Sequence, residues 1–576
     1  MKKIIPGALL VLALPYLAHG QDTQSFDLVF RGGTIIDGTG SDRYKGDVGI
    51  IGDEVVAIGD LTTATATRDI DAAGLIISPG FIDLHAHVTD GVYGRHGLLS
   101  SNKKKRAAQN YVAQGVTTLL GNPDGYQSRP IPDLRDNMER NGIGPNIALT
   151  NGHNGLRDMV LSGDRNREAT PEEIAEMKDI LLNDMANNGS FGLSVGTEYT
   201  SGKSSNTAEQ VELAKTLPEY NGIFIAHMRS QGDAPMWFTP SRFRGITPPN
   251  LEGAIDEMIT VADETGARTV ITHMKAWGSY RGNGDKLMER IQTARDGGSD
   301  IYIDVYPYDS SGSDGRFSAV PDWAYGFKRD GLRLFTNYRR RFRTRFNKLD
   351  EQGRKDLEDD VLHKITARGG PRNILILDYP DESFVGKTLA DFMEARELSA
   401  VDATIAMQLE GYARKRNGAQ LRSISMAERD IETFLSQPWA ATSTDGWVVL
   451  PEQAVGRRKY SITHRRCFGS FPRRIAHYSQ FRGLDTLEQA IRSVAGLPAE
   501  ILSIEDRGLL KAGMKADITV IDLENLKDNT TYLDPSMYPS GIPYVLVNGT
   551  FVVDEGERTL ALPGSVLSSN STGRKS

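Results

Sequence analysis

Two kinds of hydrophobic patterning divide this chain. From residue 26 to about 78, short apolar–polar runs at 26–30, 34–37, 47–50 and 55–58 are punctuated by Gly, Asp and Asn. Such runs broken by turn residues predict β-strands. The same texture returns from about 508 to 553, notably at 516–521 and 544–549. Two β segments flanking a long middle predict one small β domain, a sandwich built from residues 21–78 and 501–560. The middle, about 79–500, is patterned differently. Apolar runs recur at 80–84, 116–120, 146–150, 191–195, 222–226, 269–272, 301–306 and 440–443, separated by helix-like stretches. Eight strands alternating with helices is the count of a (β/α)8 barrel, a TIM-like α/β fold. The gap between the seventh and eighth runs is about 130 residues and contains helix-like segments at 389–398 and 401–415. It reads as an insertion, about 309–440, over the barrel mouth.

The ends of the chain change the picture in one respect. Lys2 and Lys3 precede an apolar run at 4–17, followed by Ala18-His19-Gly20. That order is a secretory signal peptide, with the mature chain starting near Gln21. No Cys follows the cleavage site, so a lipid anchor is not expected, and the reading is export across the inner membrane to a bacterial periplasm. Residues 561–576 read as a disordered tail. The formal net charge is −8, with no basic stripe of the kind nucleic acids require. The basic runs at 103–105 and 339–341 read as solvated faces. The single cysteine, Cys467, excludes both an internal disulfide and a Cys-rich structural zinc site, and reads as a small buried hydrophobe.

Candidate chemistry collects at the predicted strand ends. His85 and His87 follow the first run, His227 the fifth, His273 the sixth and Asp445 the eighth. C-terminal strand ends converge on one face of such a barrel, where its active sites lie. In His-x-His, residues i and i+2 of a strand point the same way and reach one ion. Any one of these histidines alone is as readily a core side chain. Their conjunction predicts a site for one or two divalent ions, zinc suiting a mixed imidazole and carboxylate set.

Several segments carry a resemblance. Ser78-Pro79-Gly80-Phe81-Ile82-Asp83-Leu84-His85-Ala86-His87 resembles the first-strand signature of the amidohydrolase superfamily. Gly152-His153-Asn154-Gly155-Leu156-Arg157, Gly192 to Tyr199, His227-Met228-Arg229, His273-Met274-Lys275, Ser443-Thr444-Asp445-Gly446 and His464 to Arg473 resemble its D-aminoacylase (N-acyl-D-amino-acid deacylase) family. One departure stands out. The family's metal-ligating Cys, in a Gly-Asn-Cys-Gly stretch after the second strand, is replaced by Gly121-Asn122-Pro123-Asp124-Gly125. Glu198, after the fourth strand where many amidohydrolases carry a bridging carboxylated lysine, is the expected replacement. Asp124 is the weaker candidate. The ligand set implied is His85, His87, Glu198, His227, His273 and Asp445.

The resemblance implies hydrolysis of an N-acyl-D-amino acid to a carboxylate and a D-amino acid, by metal-activated water with Asp445 as general base and acid. It implies His153 as an oxyanion partner. It implies Lys275 and Arg466 as binders of the substrate carboxylate, with Tyr199, Tyr306 and Ser313 lining the pocket. Two other readings stand beside it: a periplasmic dipeptidase for peptides ending in a D-residue, and a non-catalytic metal- or ligand-binding barrel. A cyclic amidase of the hydantoinase or dihydroorotase sort is disfavoured by Glu198 standing in place of the lysine.

Overall fold

A computed structural model describes residues 25–89, 97–311, 317–327, 336–451 and 463–569. The signal-peptide expectation and Ser313 fall outside the described residues. Among those described, no helix is long and apolar enough to cross a membrane.

Eight parallel strands form the barrel. We number them β1 (Phe81–Asp83), β2 (Val116–Gly121), β3 (Asn146–Leu149), β4 (Gly192–Gly196), β5 (Ile223–His227), β6 (Arg268–Ile271), β7 (Ile301–Val305) and β8 (Ala440–Thr442). β1, β2 and β3 pair in parallel, and so do β4 through β8 in order. Two short ladders close the ring. Asn151–Gly152, just beyond β3, pairs with β4, and Gly446–Trp447, just beyond β8, pairs with Ala86–His87, just beyond β1. Every residue of these strands except Arg268 is buried, which the unbroken apolar runs foretold.

Outer helices pack by amphipathic spacing. In Pro171–Asn187 the Thr170 hydroxyl accepts from the Glu173 amide and the Glu173 carboxylate from the Thr170 amide, a reciprocal cap that fixes the helix start. Met177, Leu181 and Met185, four residues apart, then bury one stripe against the barrel core.

The two chain ends meet in a single nine-stranded sheet, with Ile76–Pro79 beside Ile518–Ile521 at its centre. This sheet packs on the barrel's N-terminal end. Gly80, which precedes β1, donates to Asp517 O, and Thr519 Oγ1 donates to Gly115 O, just before β2. The site face is therefore the opposite end.

Two boundaries differ from those read in the sequence. The inserted unit has its own antiparallel pair, Ile374–Asp378 with Gln420–Ser423, and its own core around Phe342, Leu357, Ile376 and Phe392. The helix Glu428–Leu435 instead buries Ile431, Phe434 and Leu435 in the barrel core, so the insertion ends before it, not at 440. Residues 561–569, expected in a disordered tail, lie along the barrel. Gly564 and Val566 bridge Ile143 and Ile147, and the Leu567 amide donates to Ile147 O. Val566 and Leu567 supply the apolar contacts that hold this segment.

Candidate metal centre

The turns at the C-terminal strand ends bring two groups of potential ligands together. His85, His87, Asp124 and Asp445 form one, and Asp124, His227 and His273 the other, with the donor atoms of each group within 4.8 Å of one another. Asp124 belongs to both. Its Oδ1 lies 3.4 Å from His85 Nε2, 3.6 Å from His227 Nδ1 and 3.3 Å from His273 Nε2, and its Oδ2 lies 3.5 Å from His87 Nε2. Asp445 Oδ1 lies 3.5 Å from His85 Nε2 and 3.2 Å from His87 Nε2. His85 Nε2 and Asp124 Oδ1 are both enclosed yet make no hydrogen bond among the described residues. Buried polar atoms left without partners are costly. Imidazole nitrogens and carboxylate oxygens aimed at one point suit a divalent cation, and these residues would hold one or two.

Backbone conformation puts Asp124 there. Asn122 and Asp124 take left-handed φ of +60° and +57°, a region Asn and Asp tolerate. The Asn122 amide donates to Thr150 O and accepts from Thr89 Oγ1, tying the turn to β3 and to the segment after β1. Gly196 is required beneath it, since a Cβ there would stand 2.0 Å from Asp124 O. His273 and Asp445 also have left-handed φ, +36° and +48°. Such strain persists only where surrounding contacts over-determine it. Here Asp304 and Asp83 supply them. Asp304 accepts from the His273 amide and Ser443 Oγ, and Asp83 from the amides of His85 and Thr444 and from Thr444 Oγ1. Burial pushes these carboxyls up, Asp304 to about 6 and Asp83 to about 7.

The far nitrogen of three histidines is also fixed. His85 Nδ1 meets Thr272 Oγ1, His273 Nδ1 lies 3.0 Å from the Gln231 side-chain amide, and His227 Nε2 lies 2.8 Å from Glu198 Oε2. Partners of this kind set ring tautomer and orientation. Burial pulls the His85 and His273 imidazoles down, His273 to about 4, so both stand neutral and able to donate a lone pair. Burial opposes ionisation of Asp124 as well, but its imidazole neighbours, protonated His227 among them, hold the carboxyl well below its ordinary value.

Glu198 is the principal correction. It does not bridge: its Oε2 faces the outer nitrogen of His227 and its Oε1 accepts from the Met236 amide at 2.5 Å. Asp124, reaching in from β2, takes the shared place. Glu198→Gln should therefore lower metal affinity by about 10- to 100-fold without abolishing a site, as loss of a ligand-orienting carboxylate does, and zinc titration with a competing chelator measures it.

His153 is held by a second buried carboxylate. Its Nε2 lies 2.8 Å from Glu209 Oε1, and Arg157 pairs with the same carboxylate. None of its described contacts is with the ligand cluster; its Nε2 is committed to the helix that carries Glu209.

The remaining site residues gather beside Asp445. Arg466 Nη1 pairs with Asp445 Oδ2 at 2.6 Å, and Lys275 Nζ lies 3.9 Å from the same oxygen while donating to His273 O. Both cations lie over the Tyr306 ring, Lys275 Nζ at 4.9 Å and the Arg466 guanidinium carbon at 4.7 Å from its centroid. Burial and Arg466 lower Lys275 to about 8, with Asp445 opposing. Tyr199 sets its ring 4.4 Å from His227. The sequence reading missed the supporting Asp83, Thr272, Gln231 and Asp304. An Asp inside an apolar barrel strand, as at 83 and 304, was the available signal.

A sequence profile of the amidohydrolase family matches residues 382–553. Along nearly its whole length the chain is similar to D-aminoacylase of Alcaligenes xylosoxydans xylosoxydans, 28% identical over 570 residues, covering 95% of this chain and 98% of that one. The chain resembles amidohydrolases along nearly its whole length. The chain is also similar to N-acyl-D-glutamate deacylase of the same organism, 27% identical with 94% and 97% covered. A solved structure concerned with the binuclear metal centre of D-aminoacylase, with one-metal activation and second-metal attenuation, superposes on it with a TM-score of 0.70. The two are 26% identical over 94% of this chain and 100% of that one. The protein is a metal-dependent hydrolase of amide bonds.

Proposed function

We propose that this protein cleaves N-acyl-D-amino acids to a carboxylate and a free D-amino acid, using zinc held by Asp124, His85, His87, His227, His273 and Asp445. One observation supports the reading most. Asp445 faces the histidine pair with one carboxylate oxygen and a buried Arg466 with the other. The proton acceptor thus adjoins the cations that would hold a substrate's α-carboxylate.

A bound divalent ion supplies Lewis acidity, bringing the pKa of a water toward neutrality and polarising the scissile carbonyl. The protein's own groups do the rest. Burial alone would keep Asp445 protonated, but the Arg466 guanidinium paired with it holds it well below the ordinary carboxylate range, so it stands ionised and ready to take a proton at neutral pH. The same carboxyl returns that proton to the leaving nitrogen as the C–N bond breaks. In an N-acyl amino acid the α-carboxylate is one carbon from that nitrogen. Arg466 and Lys275, converging on Asp445 Oδ2, are positioned to hold it in reach.

Lys2, Lys3 and the apolar run that follows support export to a periplasm, where this chemistry would act on small amides. The test is a screen of paired N-acetyl-D- and N-acetyl-L-amino acids and of dipeptides with a C-terminal D-residue, on metal-loaded protein. Turnover of the D series at least about tenfold faster than the L series is expected. Turnover of the dipeptides alone would replace this reading, and no turnover of any would remove it.

A further inference from the structure

The inserted unit returns one cation toward the centre. Arg368 follows the helix Glu351–Thr366, and Gly369 and Gly370 turn the chain behind it with φ of +85° and +90°. Its guanidinium carbon lies 3.6 Å from the centroid of the Trp277 ring. Trp277 is part of the site wall. It is buried two residues beyond Lys275, and its amide donates to Gln231 O, the residue whose side chain holds His273.

Arg368 has no visible counterpart there. The residue as a whole is half-buried, but its Nη1 is closed off from solvent and makes no hydrogen bond among the described residues. Glu198 is close enough for its charge to be felt, yet both Glu198 oxygens are already engaged, by His227 and by the Met236 amide. Burial lowers Arg368 to about 10, with Glu198 and Tyr306 opposing, so it remains a cation near neutral pH. The other two cations of the site are committed elsewhere, on the Asp445 side of Tyr306.

A guanidinium N–H closed off from water without an acceptor is unfavourable, and a ligand that brings an anion to it relieves that cost. Stacking on an indole fixes the guanidinium plane and leaves its N–H edge free, the geometry in which Arg takes a carboxylate with two parallel hydrogen bonds. We propose that Arg368 is a specificity-determining residue that binds a second carboxylate of the substrate, beyond the α-carboxylate held by Arg466 and Lys275. The inference rests on the deacylase reading above. The second carboxylate has two possible sources, the D-amino-acid side chain or the acyl group.

The experiment compares acids with neutral analogues of similar shape on metal-loaded protein: N-acetyl-D-glutamate against N-acetyl-D-glutamine, and N-succinyl-D-alanine against N-butyryl-D-alanine. In at least one pair the acid should be preferred by about tenfold or more in kcat/KM, the worth of a charge-assisted hydrogen bond, and that pair identifies the source. Arg368→Gln should abolish the preference by raising KM for the acid, with kcat/KM for the neutral analogue within about threefold of the wild type. Should Arg368→Gln fail to fold, Arg368→Lys makes the comparison. It keeps the charge but loses the fork, so an intermediate preference is expected and an unchanged one overturns the assignment. Equal treatment of acid and neutral analogue in both pairs by the wild type overturns it as well, as does a preference that survives Arg368→Gln. A wild type that hydrolyses the neutral compounds without preferring acids removes the role of Arg368 alone. One that hydrolyses none of the four removes the deacylase reading itself.

Discussion

Replacing Asp445 with Asn lowers kcat by roughly 100- to 10,000-fold, the range that a positioned proton acceptor contributes. The substitution keeps an oxygen in place and removes the charge. Its effect on metal is smaller, because Asp124, His227 and His273 form a group without it. KM should rise little, since Arg466 and Lys275, released from Asp445, still face the substrate carboxylate. Steady-state kinetics at saturating zinc, with zinc content measured on the same sample, check the split. A loss of kcat that tracks loss of zinc would make Asp445 a ligand only. Near wild-type turnover would place the proton acceptor elsewhere.

Asp124→Asn is the larger perturbation of binding. Asp124 is the one residue shared by the two ligand groups, and its Oδ1 faces His85, His227 and His273 at 3.3 to 3.6 Å. Losing its charge weakens every ion the cluster holds. Removing an outer carboxylate that only orients a ligand costs about 10- to 100-fold, so loss of the shared inner one should cost roughly 1,000-fold or more in zinc affinity, with activity falling alongside. Competition with a chelator of known affinity gives the number. The contrast with Glu198→Gln is the useful part. If Glu198→Gln were the more damaging of the two, the places assigned to these carboxylates would be exchanged.

Much of the fold was legible because the barrel writes itself as apolar runs. All eight lie on strands, and His85, His87, His227, His273 and Asp445 stand together at one end. The choice between Asp124 and Glu198 was not legible in the same way. Both are carboxylates just past a strand end. What separates them is the left-handed backbone at Asn122 and Asp124, and the missing side chain of Gly196 that lets the turn approach β4. The Asn-Pro-Asp-Gly run was a signal for that turn, since each residue favours one of its conformations. His153 could not have been settled from sequence, because its partner Glu209 lies 56 residues away on another helix. The segment 561–569 was obscured by its Gly and Ser content, although Val566 and Leu567 were enough to seat it beside β3.

The barrel thus turns Asp124 inward beyond its second strand, and uses Glu198 to steady His227. The most direct measurement of this arrangement is the zinc stoichiometry of the wild-type protein, stripped of metal and then titrated. The account predicts one to two equivalents bound per chain, lost in Asp124→Asn and retained in His153→Ala. A well-folded wild-type protein that takes up no divalent metal, or an Asp124→Asn protein that binds as the wild type does, would contradict it.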